Sequence, residues 1–355
     1  MPRLPLDRWA IRLATATLAL FALIAAGCGD DDSAAGGPDG GGDLAGTTIT
    51  VYSGREEELL QPVFAAFEAA TGATIEARYG GSAEMALLID TEGDQSPADV
   101  FISQSPGAVG FLDQAGRLQA IDQASLDRVA ESYRGGDGNW VGITGRVRVL
   151  VYNTELVDPA DLPSSVLDLT DPEYDGMVGV APANGSFQDF VTAMRSVLGD
   201  DATAEWLAGM AANHSPNYAK NSAIVDAVAR GEVPMGLVNH YYLVEAREED
   251  PDLPAANHVF PEGDLGSLLI VTAAGIIDTS DDVAGAQALI DFLLSDEAQA
   301  LSASGEKEYP LVDGVQAPEG LEPLETTAGV VVDLDVLAGG LSGTEELIEA
   351  SGIIE

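Results

Sequence analysis

The sequence predicts an α/β fold arranged as two lobes. Three observations carry that prediction. Strand-like and helix-like segments alternate from Thr48 onward, and two long apolar β stretches interrupt the alternation. About 310 residues follow the N-terminal segment, enough for two domains of ordinary size.

Thr48 to Tyr52 alternates as a strand, and Ser53-Gly54 ends it. Glu56 to Ala70 is a predicted helix with Leu59, Leu60, Val63, Phe64 and Phe67 on one face and Gly72 as its C-terminal cap. Ala73 to Tyr79 is the next strand, Ala83 to Asp90 a helix, Ala98 to Ser103 a buried strand and Ala108 to Ala115 another helix. This order predicts a mostly parallel sheet with helices on both faces. Trp140 to Asn153 is too long for an ordinary strand and suits a hinge crossing from one lobe to the other. Helices Phe187 to Leu198, Thr203 to Ala211 and Ile224 to Ala229 and strand Val233 to Val238 rebuild an α/β unit. Ser267 to Ile277 is the second expected crossing, followed by helices Asp282 to Leu294 and Asp296 to Ser304.

Residues 1–27 have the form of a lipoprotein signal peptide. Arg3, Arg8 and Arg12 precede an uncharged run of 14 residues, Leu13 to Ala26, which is short for a membrane span. Small residues then lead into Cys28, the sole cysteine and the expected lipidation site; an ordinary secretory signal with an incidental Cys28 is the plainer alternative. With that cysteine lipidated, the mature chain has neither a disulfide nor a thiol nucleophile. Residues 28–47, rich in Gly, Asp, Ser and Ala, form an expected flexible tether reaching roughly 25 Å.

The chain carries 59 acidic and 15 basic residues, and only two of the basic ones are lysines, Lys220 and Lys307. A nucleic-acid partner would need a basic face and is therefore excluded. The acids are spread along the whole length, as on a solvated surface adapted to high salt, rather than gathered into a cation-binding cluster.

The candidate chemistry centres on Tyr241 and Tyr242, which follow the strand ending near His240. Ligands of α/β sheets bind beyond the carboxyl ends of strands. Adjacent side chains on a strand point to opposite faces, so two phenols meet one metal only where the backbone turns. A phenolate is a hard, charged oxygen donor suited to Fe(III), and binding would release its proton. The plainer alternative is that one ring packs and the other caps. Asn184-Gly185-Ser186 and Asn221-Ser222 precede predicted helices, whose free N–H groups can hold an anion; singly, each is an ordinary cap. Arg146 and Arg148 share a strand face, placed either to balance an anion or to form a structural ion pair. His214, His240 and His258 lack metal-ligand spacing and are expected in packing or surface positions.

Six segments, in this order and spacing, resemble one family: VYSGRE (Val51 to Glu56), PADVF (Pro97 to Phe101), the stretch Trp140 to Thr154, YAKNS (Tyr218 to Ser222), NHYY (Asn239 to Tyr242) and EYPL (Glu308 to Leu311). The family is that of the periplasmic ferric-ion-binding proteins of ABC importers, or bacterial transferrins, and the resemblance runs from about Ile49 to Leu324. It implies a periplasmic-binding-protein type II fold, with hinge-connected lobes at 48–147 plus 272–322 and at 148–271 plus 323–355. It further implies Fe(III) held by Tyr241 and Tyr242 with a phosphate or carbonate-like anion contacted by Asn184, Gly185, Ser186, Asn221 and Asn239.

Well-studied members add a histidine and a glutamate from the opposite lobe; here those positions hold Glu56 and Gln104. Glu56 is then a carboxylate ligand, or else simply a first-turn acid favourable to its helix. Gln104 and Arg146 are expected around the ligands, while Tyr79 is a further ligand or a rim residue. The implied partners are an ABC permease and ATPase, with the chain a monomer touching the membrane only through its lipid. The implied location is outside the cytoplasm, on the membrane's outer face or in the periplasm. The alternatives are the same scaffold binding another small anion or organic solute, an enzyme, or a structural surface lipoprotein. No nucleophile elbow, zinc-protease motif or phosphate-binding loop supports an enzyme.

Overall fold

The computed structural model describes residues 44–321, 323–327, 332 and 341–354. The signal peptide, Cys28 and most of the predicted tether therefore lie outside the described residues, as does part of the segment 323–355 assigned to the second lobe.

The first α/β unit forms as its apolar pattern demands. Strand β1 (Thr48–Ser53) leads to α1 (Glu57–Thr71), which buries Leu60, Val63, Phe64 and Phe67. Leu59 is only half-buried. Gly72 caps α1 at φ 75°, its N–H donating to Glu68 O, a conformation that glycine adopts without a steric penalty. Strand β2 (Thr74–Tyr79), α2 (Ser82–Glu92), β3 (Val100–Ser103) and α3 (Pro106–Gln114) follow, with β2, β1 and β3 side by side and parallel.

After the short β4 (Leu118–Gln119) and α4 (Gln123–Leu126), β5 runs unbroken from Trp140 to Asn153 and is buried along all 14 residues. Then come β6 (Val178–Gly179), α5 (Gly185–Leu198), α6 (Asp200–Ala212), α7 (Asn221–Ala229), β7 (Met235–Asn239), α8 (Tyr241–Glu249) and β8 (Ala255–His258). The chain continues through β9 (Leu269–Ile277), α9 (Val283–Leu293), α10 (Asp296–Gly305), β10 (Tyr309–Pro310), α11 (Leu324–Thr327) and α12 (Leu341–Ser351).

Strand β5 belongs to two sets of partners. From Trp140 to Val147 it pairs with β9, and from Arg148 to Asn153 it pairs with β7 and β8. The strand path is β2-β1-β3-β9-β5-β7-β6. The expectation of a mostly parallel sheet is corrected here. Only β1–β2, β1–β3 and β6–β7 are parallel, whereas β9 runs antiparallel to both β3 and β5, and β5 is antiparallel to β7. The two long strands, inserted next to each other, reverse the direction of the sheet at its centre. Helices α5, α6 and α12 pack together beyond this seam, around Phe187, Phe190 and Trp206.

Candidate functional site

A cavity of about 610 Å³ opens where the carboxyl ends of β3 and β7 meet the N-terminus of α5. That volume is in the range of pockets for small organic ligands. Its polar end holds Tyr241, Tyr242, Asn239, Arg146 and the Asn184-Gly185-Ser186 turn; its other wall is formed by Ala83, Ala86 and Leu87 of α2 and Phe111 of α3.

The phenols are aimed by a change of backbone. Strand β7 ends at Asn239, His240 takes a helical conformation, and α8 begins at Tyr241. The turn abolishes the strand's alternation, so both rings face the cavity, their centroids 4.3 Å apart and tilted by 31°. Burial pushes the Tyr241 phenol well above its usual range, and its neighbour Tyr242 adds to the effect while Arg146 opposes it.

The residues expected at an anion are linked to one another. Asn184 caps α5, its Oδ1 accepting the Ser186 N–H over 3.1 Å and the Ser186 hydroxyl over 2.6 Å. Asn221 Nδ2 donates to Asn184 Oδ1 (3.2 Å) and Ser186 Oγ (3.0 Å). Asn221 is thus the first residue of α7, turned into this network, and not a cap with a free amide; it is buried behind the cavity wall. Arg148 joins the cluster from β5, donating from Nη1 to Asn239 Oδ1 (3.0 Å), Ser186 Oγ (3.3 Å) and Asn221 Oδ1 (3.4 Å).

The two arginines differ sharply. Arg146 pairs with Glu308 (3.5 Å) and donates to Thr272 Oγ1 (3.2 Å) and to the Gln104 carbonyl. Arg148 has no carboxylate within ion-pairing distance among the described residues, and its Nε and Nη2 lack hydrogen-bond partners there. Burial lowers its pKa to about 10, and its guanidinium lies 5.6 Å from the Phe190 ring. The structural ion pair is therefore made by Arg146, and Arg148 is a buried cation without a carboxylate at ion-pairing distance among the described residues.

Glu308 anchors the floor beneath the site. It takes Arg55 at 2.8 Å and the Thr144 hydroxyl at 2.5 Å in addition to Arg146. Burial alone would raise its pKa, but Arg55 and Arg146 overcome that and hold it at about 2. Arg55 also pairs with Glu306.

Several expected residues lie elsewhere. Glu56 does not line the cavity; it is exposed and precedes α1 without capping it. The cause is local: Arg55 turns inward to Glu306 and Glu308, so the next side chain points to solvent. Gln104 does line the cavity, its backbone N–H donating to Ser82 Oγ over 2.9 Å. Tyr79 belongs to a separate, shallower groove between α1 and β2. His240 is a packing residue: Nδ1 accepts the Val147 N–H (3.2 Å), Nε2–H donates to Lys307 O (2.9 Å), and burial lowers its pKa to about 4. His258 donates to Pro163 O, and His214 sits exposed beside Asp175.

Asp189 was absent from the sequence reading. It lines the cavity from α5, and Ser105 lines the same cavity from the far wall. Burial raises its pKa to about 6, against the pull of Arg146, Ser105 and Arg148. Its signal was legible in principle, since Asp189 follows Ser186 by three residues and so shares its helix face.

Comparison with known proteins places this geometry. A model of the bacterial extracellular solute-binding protein family matches residues 95–333. The Fe(3+)-binding periplasmic protein of Serratia marcescens is 31% identical over 80% of this chain and 85% of its own length. Iron-bound HitA from Pseudomonas aeruginosa superposes with a TM-score of 0.79 at 34% identity, covering 86% of this chain and 99% of that one. The Trichodesmium protein IdiA (FutA), in complex with iron and citrate ligands, gives a TM-score of 0.77 at 26% identity, covering 86% of this chain and 99% of the other.

Proposed function

Because the chain belongs to the bacterial extracellular solute-binding protein family, as the match over residues 95–333 shows, we propose that it captures Fe(III) in its cavity and delivers it to an ABC importer. The observation that carries the reading is the pair of phenols, rings 4.3 Å apart, facing a cavity whose adjoining wall is a hydrogen-bonded Asn184-Ser186-Asn221-Asn239 network around Arg148, which has no ion-pair partner among the described residues. The named functions of relatives support it: Fe(3+) binding in Serratia and bound iron in the Pseudomonas protein.

In this reading the oxygens of Tyr241 and Tyr242 ligate the iron and release their protons to solvent. An anion sits against Asn184, Gly185, Ser186 and Asn239, with Asn221 and Arg148 holding those groups in place. Phosphate, carbonate or a carboxylate all suit such donors, and a relative holds iron with citrate. Lobes at 48–147 plus 272–322 and at 148–271 plus 323–355 would close over the ion, the change of partner between Val147 and Arg148 lying at their seam. Glu56 would reach the iron only by movement of its segment. We further propose lipidation at Cys28, tethering a monomer outside the cytoplasm to an ABC permease and ATPase, and no catalytic activity.

The test is the visible spectrum of the purified protein with ferric nitrilotriacetate and phosphate. A phenolate-to-iron charge-transfer band is expected, weakened or lost in Tyr241→Phe and Tyr242→Phe. A colourless wild type would exclude the ferric reading, and tight binding of an organic anion by both variants would favour another solute.

A further inference from the structure

We infer that Asp189 is the third charged ligand of the bound iron, an assignment that rests on the ferric reading above and names the carboxylate its site uses. The need for a third charge follows from electrostatics. Two phenolates leave an Fe(III) ion with one uncompensated positive charge, and an unbalanced charge in a closed, water-poor cavity is costly. Arg148, buried without an ion-pair partner among the described residues, adds another. A small anion against the Asn184-Gly185-Ser186 turn, in the field of Arg148 behind it, answers that second charge, so the iron needs its own carboxylate.

Among the described residues lining the cavity, Asp189 is the sole carboxylate. Glu308 is below the floor, committed to Arg55, Arg146 and Thr144. Glu56 is in solvent, outside the lining. Asp189 is three residues beyond Ser186 on α5 and so follows the anion-holding turn by one helical turn on the same face. It shares the cavity with Ser105 and Gln104 of the facing wall, so its carboxylate opens on the same space as the phenols. A carboxylate is also the donor type that a hard trivalent ion prefers after phenolate. With Asp189 included, iron and its three anionic protein ligands are neutral together, and the field of Arg148 is left to the small anion.

The test uses the full mature protein, loaded with ferric nitrilotriacetate and phosphate and then challenged with citrate. Removing a carboxylate donor leaves the iron more electron-poor, so the phenolate charge-transfer band should move to longer wavelength. Asp189→Asn is expected to show that shift and to lose iron at citrate concentrations at least about tenfold lower than wild type. Asp189→Glu should keep the wild-type band while Asp189→Gln, matched to it in size, should not; this pair decides the matter even if the Asn variant folds poorly. Ser105→Ala and Glu56→Gln should keep the wild-type band. If the wild type is coloured and the Asp189 variants match it in band position and iron retention, the assignment fails while the ferric reading stands. A shift in Glu56→Gln instead would give the carboxylate to Glu56. An Asp189→Asn phenotype copied by Ser105→Ala, with no band shift in either, would make Asp189 a bridge between the walls and overturn its ligation. A wild type without the band overturns both readings.

Discussion

Arg148 donates to Asn239 Oδ1 over 3.0 Å, and this contact joins the strand that spans the sheet's seam to the residue two positions before the first phenol. The same guanidinium reaches Ser186 and Asn221, so one buried cation holds three elements of the cavity's polar wall in register.

Arg148→Leu should therefore do two things. Asn239 and Asn221 lose a buried donor, at a cost of about 1–3 kcal/mol in urea unfolding of the apoprotein. Phosphate, expected to strengthen iron retention in the wild type, should no longer do so in the variant. Arg148→Lys keeps the charge but lacks the planar fork and should fall between the two.

Iron uptake should release protons. Burial and the neighbouring ring keep the Tyr241 phenol protonated far above neutral pH, so ligation must displace that proton, and affinity rises with pH. Two phenols imply about two protons per iron and a gain of about a hundredfold in apparent affinity per pH unit below their pKa values. Titration of the apoprotein with a ferric chelate, corrected for the chelator's own protons, measures the count; Tyr242→Phe should reduce it to about one.

Glu308→Gln should be severe although it touches no ligand. The carboxylate is buried between Arg55 and Arg146, and its loss takes from Arg146 the carboxylate it pairs with and leaves Arg55 with Glu306. The expected cost is about 3–5 kcal/mol, read from chemical denaturation. A conservative surface replacement such as Glu297→Gln, in the exposed first turn of α10, should change stability by no more than about 0.5 kcal/mol.

Gly54→Ala tests the cavity rim. A Cβ at Gly54 would stand 2.0 Å from Ser82 Oγ and 2.7 Å from Ser82 Cα. Since Ser82 Oγ accepts the Gln104 N–H, the start of α2 must move and carry the rim with it. A loss of about 1–3 kcal/mol is expected, together with weaker iron retention, compared in the same urea and citrate-challenge assays.

Much of the fold was legible in local pattern. The 14 residues from Trp140 to Asn153 form one strand as predicted, because their many apolar side chains need burial on both faces, and Gly142 costs only a register shift against β9. Helices α1, α5 and α9 appear with ends within two residues of the predicted ones. Strand direction was misjudged: alternation of strands and helices specifies neighbours in the chain, whereas β9 reaches β3 and β5 from more than a hundred residues away.

By itself, the sequence determined the α/β alternation, the two long strands, the acidic surface and the adjacent phenols, each of which is a property of residues close together in the chain. Only the tertiary structure decided which side chains share the cavity. It turned Glu56 to solvent by drawing Arg55 into the core, left Arg148 rather than Arg146 without an ion-pair partner among the described residues, and brought Asp189 to the cavity wall facing Gln104. The physical reason is that burial and charge pairing are settled between distant segments, where a single inward-facing ion pair dictates which way its neighbours face.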